Sequence, residues 1–269
     1  MLLFLLFLLM GVCFSEDEKK EKISNARITK VYNFDNKNID KLDIDEFIPE
    51  ETVKLFTAKQ NKLSELPTFF FSKIKKLYKI NLSYNNFSLF DNILLTYSSS
   101  LISIDLSHNK IIAIPDELSS FTSLKELFLN SNSIKEIPNN FSSLKSLETF
   151  EISYNQIDTL PNEIVYMNKL AFVDMSHNKI KQIPEENWDK SHIVKIDLSY
   201  NDINNIPKDL LGKSQVTRLH LKGNEKLSLK MLRETDGYED YLGRRKSVKD
   251  QGFDYNLDIS FSLCGLDTQ

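Results

Sequence analysis

The sequence predicts an α/β fold of the solenoid kind, a row of short parallel strands joined by irregular turns. Three observations carry this expectation. A phrase of fifteen residues returns every 23: Leu101–Pro115 reads L-I-S-I-D-L-S-H-N-K-I-I-A-I-P, and Leu124–Pro138, Leu147–Pro161, Leu170–Pro184 and Ile193–Pro207 repeat its apolar positions. A fixed period in this range marks an architecture of stacked repeats. Within each phrase, as in Ile104-Asp105-Leu106, apolar residues flank a polar one, which is the period of a strand. An Asn closes the strand part and a Pro closes the phrase.

Each element follows from its chemistry. A strand this short cannot stand alone, so it pairs with the same strand of the next repeat. The ninth position carries Asn61, Asn85, Asn109, Asn132, Asn155, Asn178, Asn201 and Asn224. There the chain turns inward and its backbone loses its ladder partners. A buried amide, with donors and acceptors both, satisfies them, so the stacked asparagines form a ladder. The Ile two residues on, and the Ile or Leu before Pro, complete the core. Proline cannot donate to a ladder, so the returning side is expected to be extended or a loose turn. A period of 23 leaves little room there for a full helix.

The skeleton L-x-x-L-x-L-x-x-N-x-I-x-x-I-P resembles the leucine-rich-repeat family, and its I-P ending and short period resemble the Ras-group, intracellular branch. That resemblance implies a curved horseshoe with a parallel concave sheet, a mostly irregular convex side, and a protein partner held on the concave face.

Taken from the start, residues 1–15 are an apolar run, M-L-L-F-L-L-F-L-L-M-G-V-C-F-S, before the charged E-D-E-K-K. The run is short for a bilayer span and reads as a signal peptide, with Cys13 and Ser15 as small residues before a cut at Glu16. Its positive n-region is missing apart from the terminal amine. A second reading starts translation at Met10: M-G-V-C-F-S fits the myristoylation pattern with Gly11 as acceptor, Cys13 for a second acyl chain, and Lys19, Lys20 and Lys22 for anionic lipid. One acyl chain binds membranes only marginally, so two signals are expected together. The two cysteines, Cys13 and Cys264, both lie outside the repeats. Secreted relatives of this resemblance carry disulfide-bonded caps, so their absence points to a reducing compartment. The expected location is cytoplasmic, with membrane association only through the N-terminus; secretion through the leader is the alternative. The sequons at Asn81, Asn86 and Asn140 add little to either, since such matches arise by chance in an Asn- and Ser-rich chain.

Residues 16–28 are charged and expected to be mobile. The repeats occupy 29–224, about nine units with degenerate ends, as an array requires to cover its terminal faces. The first has Lys37 in the Asn position. Residues 225–257 are expected to form a partly helical cap, with Tyr238, Tyr241 and Leu242 at helical spacing and Arg244-Arg245-Lys246 as a solvated helix end. Residues 258–269 are a strand-like tail. Within it F-S-L-C-G-L-D-T-Q resembles the opening strand of type 2C, metal-dependent serine/threonine phosphatases. The chain stops before the G-x-R-x-x-M-E-D segment that begins the metal site in that family, so none of its aspartates maps onto a residue here.

The 269 residues carry a net charge of −4 and 41% hydrophobic residues, an ordinary globular balance. A pI near 5.7 argues against nucleic acid, which asks for a basic face. No convergent catalytic group, Gly-rich phosphate loop or Cys-His pair is present, so no enzymatic activity, cofactor or metal is expected. His108 and His177 share a repeat position three repeats apart, roughly 14 Å at strand spacing, too far for one ion. Binding chemistry is the better match. The fifth position points outward and reads Asp105, Phe128, Glu151, Asp174, Asp197 along successive repeats. The last three carboxylates are expected about 5 Å apart, solvent-facing, and reversible in charge without loss of the fold. Around them stand Tyr154, Phe172, His177 and Tyr200, the aromatic composition of interface anchors. The expected partner is a protein, and the expected state a monomer.

Overall fold

The computed structural model describes residues 28–44, 49, 51–250 and 264. The leader with Gly11 and Cys13, the charged segment before Ile28, and the tail apart from Cys264 lie outside the described residues. The chain forms two compact units that meet in sequence at Asn132 and Ser133. An array held by neighbour contacts has no single core binding it end to end.

The first unit carries strands β1 (Val31–Asn33), β2 (Thr52–Thr57), β3 (Lys76–Asn81), β4 (Ser103–Asp105) and β5 (Glu126–Phe128). Each pairs in parallel with the next. One register line runs Tyr32, Phe56, Ile80, Ile104, Leu127, all fully or almost fully buried. The second unit carries β6 (Thr149–Glu151), β7 (Phe172–Asp174), β8 (Lys195–Asp197) and β9 (Arg218–His220), again parallel, with Phe150, Val173, Ile196 and Leu219 in line. The strand period thus places every central residue inward and its two neighbours on the outer face.

The asparagines do the same job in each repeat. Asn85 Oδ1 accepts from Leu63 N at 2.9 Å, while its Nδ2 donates to Ala58 O and Leu82 O at 2.9 and 3.0 Å. Asn201 repeats this with Ile180 N, Met175 O and Leu198 O. One amide therefore ties the corner of its own repeat to that of the repeat before. At the start Asn61 serves the first repeat, accepting from Lys37 N and Ile39 N, so Lys37 needs no amide of its own. Among the described residues no buried side-chain nitrogen or oxygen lacks a partner.

The returning side differs from the extended or loose turn expected. It is built of short helical turns: 3-10 segments at Asn92–Tyr97, Asp116–Ser120, Asn139–Ser143, Asn162–Tyr166 and Trp188–Lys190, and α-helical ones at Thr68–Lys73 and Lys208–Gly212. Proline precedes five of them, while Asp91 caps Asn92–Tyr97 and Asn187 precedes Trp188–Lys190. Pro115, Pro138 and Pro161 stand extended just before their turns, and their carbonyls accept from Leu118, Phe141 and Ile164 N at 3.0–3.2 Å. Losing the proline N–H costs nothing there, because the first donors of a helical turn have no partner anyway. Each turn buries one or two apolar side chains, Leu118 in one and Phe70 with Phe71 in another. In the turn Trp188–Lys190 the buried residue is Trp188, which donates its indole N–H to Pro184 O at 2.6 Å.

Beyond β9 come the helices Leu229–Glu234 and Tyr238–Asp250. Ser228 caps the first through Met231 N. Gly237, at φ +88°, lies so close to Gly212 that an added Cβ would stand 2.4 Å from Gly212 N, so the second helix starts against the helix Lys208–Gly212. Arg244 is not the solvated helix end expected. Its guanidinium reaches back to donate to Val216 O and Leu211 O, and desolvation by burial lowers its pKa. Arg245 lies over the Tyr241 ring, 5.7 Å from its centre. Tyr241 is itself buried; its hydroxyl accepts from Leu219 N at 3.2 Å, and burial, then the nearby Cys264, push its pKa up. The Cys264 carbonyl accepts from Leu221 N at 2.8 Å, the bond that Leu198 N makes with His220 O one repeat earlier.

Candidate functional site

The outer strand face carries two rows in each unit. In the second unit one row runs Thr149, Phe172, Lys195, Arg218 and the other Glu151, Asp174, Asp197, His220. All eight side chains are half-buried: fixed at the base and open at the tip. Lys195 Nζ lies over the Phe172 ring, 4.4 Å from its centre, and His220 Nδ1 stands 3.4 Å from Asp197 Oδ2. Lys195 and Arg218 therefore stand in the row beside the carboxylates, and His220 continues the carboxylates' own row. In the first unit the corresponding rows run Val31, Leu55, Lys79, Ser103, Glu126 and Asn33, Thr57, Asn81, Asp105, Phe128. Lys79 and Glu126 pair at 3.7 Å.

The aspartates are not plain solvent-facing charges, and that expectation is corrected. Asp105, Asp174 and Asp197 each accept from the backbone N–H two residues on, at Ser107, Ser176 and Ser199, all at 3.0 Å. A side chain that bonds its own backbone two residues on is a turn device. Asn81 makes the same bond to Ser83 N with a neutral oxygen, at 3.0 Å. Reversing the charge at Asp174 or Asp197 would remove this acceptor, so the fold would feel it.

Tyr154, His177 and Tyr200 are not on the strand face. They stand at the corner before the ladder asparagine, where the chain turns left-handed: φ is 57° at Tyr84, 54° at His108, 55° at Ser131, and 55°, 53° and 54° at Tyr154, His177 and Tyr200. Such a φ is uncommon outside glycine and costs energy. The amide of the next residue holds the corner. The turn aims each side chain along the array, and the rings meet. His177 lies between Tyr154 and Tyr200, at 4.0 and 4.3 Å with planes within 14°. Tyr84 and His108 stack likewise at 4.0 Å, a pair the sequence reading left out although both hold the same repeat position. The second stack ends on Gly223, where an added Cβ would stand 2.5 Å from the Tyr200 ring.

The repeat period, the strand register and the asparagine corners decide the fold. Residues 75–134 and 122–180 match the leucine-rich-repeat family. The chain is a leucine-rich-repeat solenoid. Solved structures agree at the level of the fold. A leucine-rich-repeat protein of Leptospira interrogans superposes with a TM-score of 0.61 at 23% identity, over 70% of this chain and 53% of that one. An internalin of Listeria monocytogenes gives 0.55 at 21%, over 65% and 53%. The leucine-rich-repeat ectodomain of the receptor kinase GASSHO1/SCHENGEN3 from Arabidopsis thaliana, solved in complex with Casparian strip integrity factor 2, gives 0.53 at 24%, over 63% and 22%. This solenoid thus spans about half the length of the first two. No curated protein sequence matches it.

Among the described residues of the solenoid, no group of three His, Cys, Asp or Glu is placed to hold a metal ion. No helix among them is long and apolar enough to cross a membrane. What the arrangement offers is a set of outward side chains on paired strands: the carboxylate, cationic and aromatic tips that recognise another protein's surface.

Proposed function

We propose that this chain is a non-catalytic interaction module that binds a protein partner on the outer face of its strands. One observation carries the reading. In the second unit Glu151, Asp174 and Asp197 stand in register on consecutive strands, and Asn81 shows that the local turn needs only a neutral oxygen in that place. At Asp174 the charge is more than the turn needs, and the carboxylate row is read as meeting a cationic partner surface. Phe172 beside the row and the Tyr154–His177–Tyr200 ledge are the anchors. Asp105 and Phe128 hold the corresponding places on the first unit's own strand face.

The test uses variants that keep the turn and remove the charge: Glu151→Gln with Asp174→Asn and Asp197→Asn. Partners are captured from native extract by crosslinking and identified by mass spectrometry. Loss of one identified partner from this variant, with the same partner retained when Tyr166 on the returning side is changed to Ser, supports the reading. Retention by the neutral variant moves the interface elsewhere.

A role in signalling is part of the first reading; the second reading, a regulatory or targeting arm of a type 2C phosphatase, rests on the resemblance of residues 261–269 to the opening strand of that domain. A transcript that encodes G-x-R-x-x-M-E-D after Gln269 favours it. Mass spectrometry of the native N-terminus separates a cytoplasmic, lipidated chain, acylated at Gly11 and Cys13, from a secreted one beginning at Glu16.

A further inference from the structure

The corner rings of the first unit make an unfinished stack, and what it lacks names part of the partner; this inference rests on the reading of the solenoid as a partner-binding module. Tyr84 covers one face of His108 at 4.0 Å, and His108 is exposed. On the other side of His108 lies β5, paired in register with β4 through Asp105 and Phe128, and His108 N donates to Asn130 O at 2.7 Å. The corner on that side is Ser131. Its φ of 55° matches the 57° and 54° of Tyr84 and His108, so its backbone is shaped like the corners that carry rings. Its side chain is a hydroxymethyl. The second face of His108 therefore has no ring on it, whereas His177 in the second unit has one on each face.

The same strand departs from its row as well. Asn33, Thr57, Asn81 and Asp105 are polar, and β5 puts half-buried Phe128 in line with them. A phenyl ring on the strand and an open imidazole face at its corner suit a planar apolar group better than a charged one.

We propose that the Ser131 corner is a docking subsite for an aromatic side chain of the partner, Trp, Tyr or Phe, which enters over Ser131 and completes the Tyr84–His108 stack as its third ring. The small residue at this corner leaves the place for it.

The full chain is titrated with N-acetyltryptophanamide while the histidine ring protons are followed by NMR, with His108→Gln to assign His108. The expected result is a saturable upfield movement of the His108 resonances and no movement at His177, whose faces are both covered. Ser131→Tyr places a ring there in cis, so the His108 resonances start upfield and the titration weakens about two- to tenfold, the scale of a lost ring pair. Ser131→Ala keeps the wild-type titration. A flat titration at His108, equal movement at His108 and His177, or an unchanged titration in folded Ser131→Tyr overturns the proposal. If Ser131→Tyr melts early, the wild-type titration and the His177 comparison still decide. The probe needs no natural partner, so a flat titration removes this subsite alone. Partner capture that ignores the Glu151, Asp174 and Asp197 charges removes the broader reading instead.

Discussion

Set side by side, the outer faces of the two units show the same backbone device filled with different chemistry. In the first unit Asn81 accepts from Ser83 N and Asp105 from Ser107 N; in the second Asp174 and Asp197 accept from Ser176 N and Ser199 N, all at 3.0 Å, so only the first unit mixes a neutral with a charged acceptor. Structure asks this position for an oxygen and is indifferent to its charge. Where Glu151, Asp174 and Asp197 stand in three successive register positions, the turn does not require the charge and neighbouring carboxylates bear a small repulsion. The first unit instead breaks its polar row with Phe128 and leaves a corner without a ring at Ser131. A repeat fold separates the two kinds of demand: core and corner positions recur because packing requires them, and outward positions differ because packing does not.

The comparison can be broken in several places. The largest effect belongs to a position both units need. Asn201→Leu strands Ile180 N, Met175 O and Leu198 O in the interior and should cost about 3 kcal/mol or more, read as a loss of stability in urea. An unchanged midpoint would mean the corner does not rely on its amide. Gly223→Ala comes next. The left-handed φ and the close Tyr200 ring together should cost about 1–2 kcal/mol, and the Tyr200–His177 stack should loosen, visible as reduced ring-current shifts at His177. Asp197→Ala removes the acceptor for Ser199 N and should cost about 1 kcal/mol, while Asp197→Asn should be close to neutral in stability. If Asn proves as costly as Ala, charge matters to this turn and Asn81 in the first unit is the exception. The smallest effect is that of the neutral triple variant of Glu151, Asp174 and Asp197. It should gain a few tenths of a kcal/mol at low salt, and the gain should vanish at high salt as screening removes the repulsion.

Much of the fold was legible because its causes are local and repeated. A strand of alternating polarity, an amide at each corner and a proline at each return are written in every phrase, so a period of 23 carries the architecture by itself. The Asp-x-Ser turn was legible too, being a bond across two residues, but the solvent reading of Asp174 and Asp197 passed over it. The returns, read as extended or loose turns with no room for a full helix, are short helical turns. Proline bars a ladder donor, yet its carbonyl still accepts, and Pro115, Pro138 and Pro161 use theirs to start a turn.

By itself the sequence determined the repeat, the inward residues and the ladder of asparagines, because these depend on spacing along one chain. Only the tertiary structure decided which distant side chains touch. Tyr154, His177 and Tyr200 are each 23 residues apart, and strand register brings their rings to 4.0 and 4.3 Å. Arg244 satisfies carbonyls 28 and 33 residues back, and Cys264 supplies the acceptor that a further strand would otherwise offer Leu221. These contacts have no local signature. They arise because a parallel stack turns equal positions in the repeat into neighbours in space, and because the last strand must find partners for its N–H groups wherever the chain beyond it can provide them.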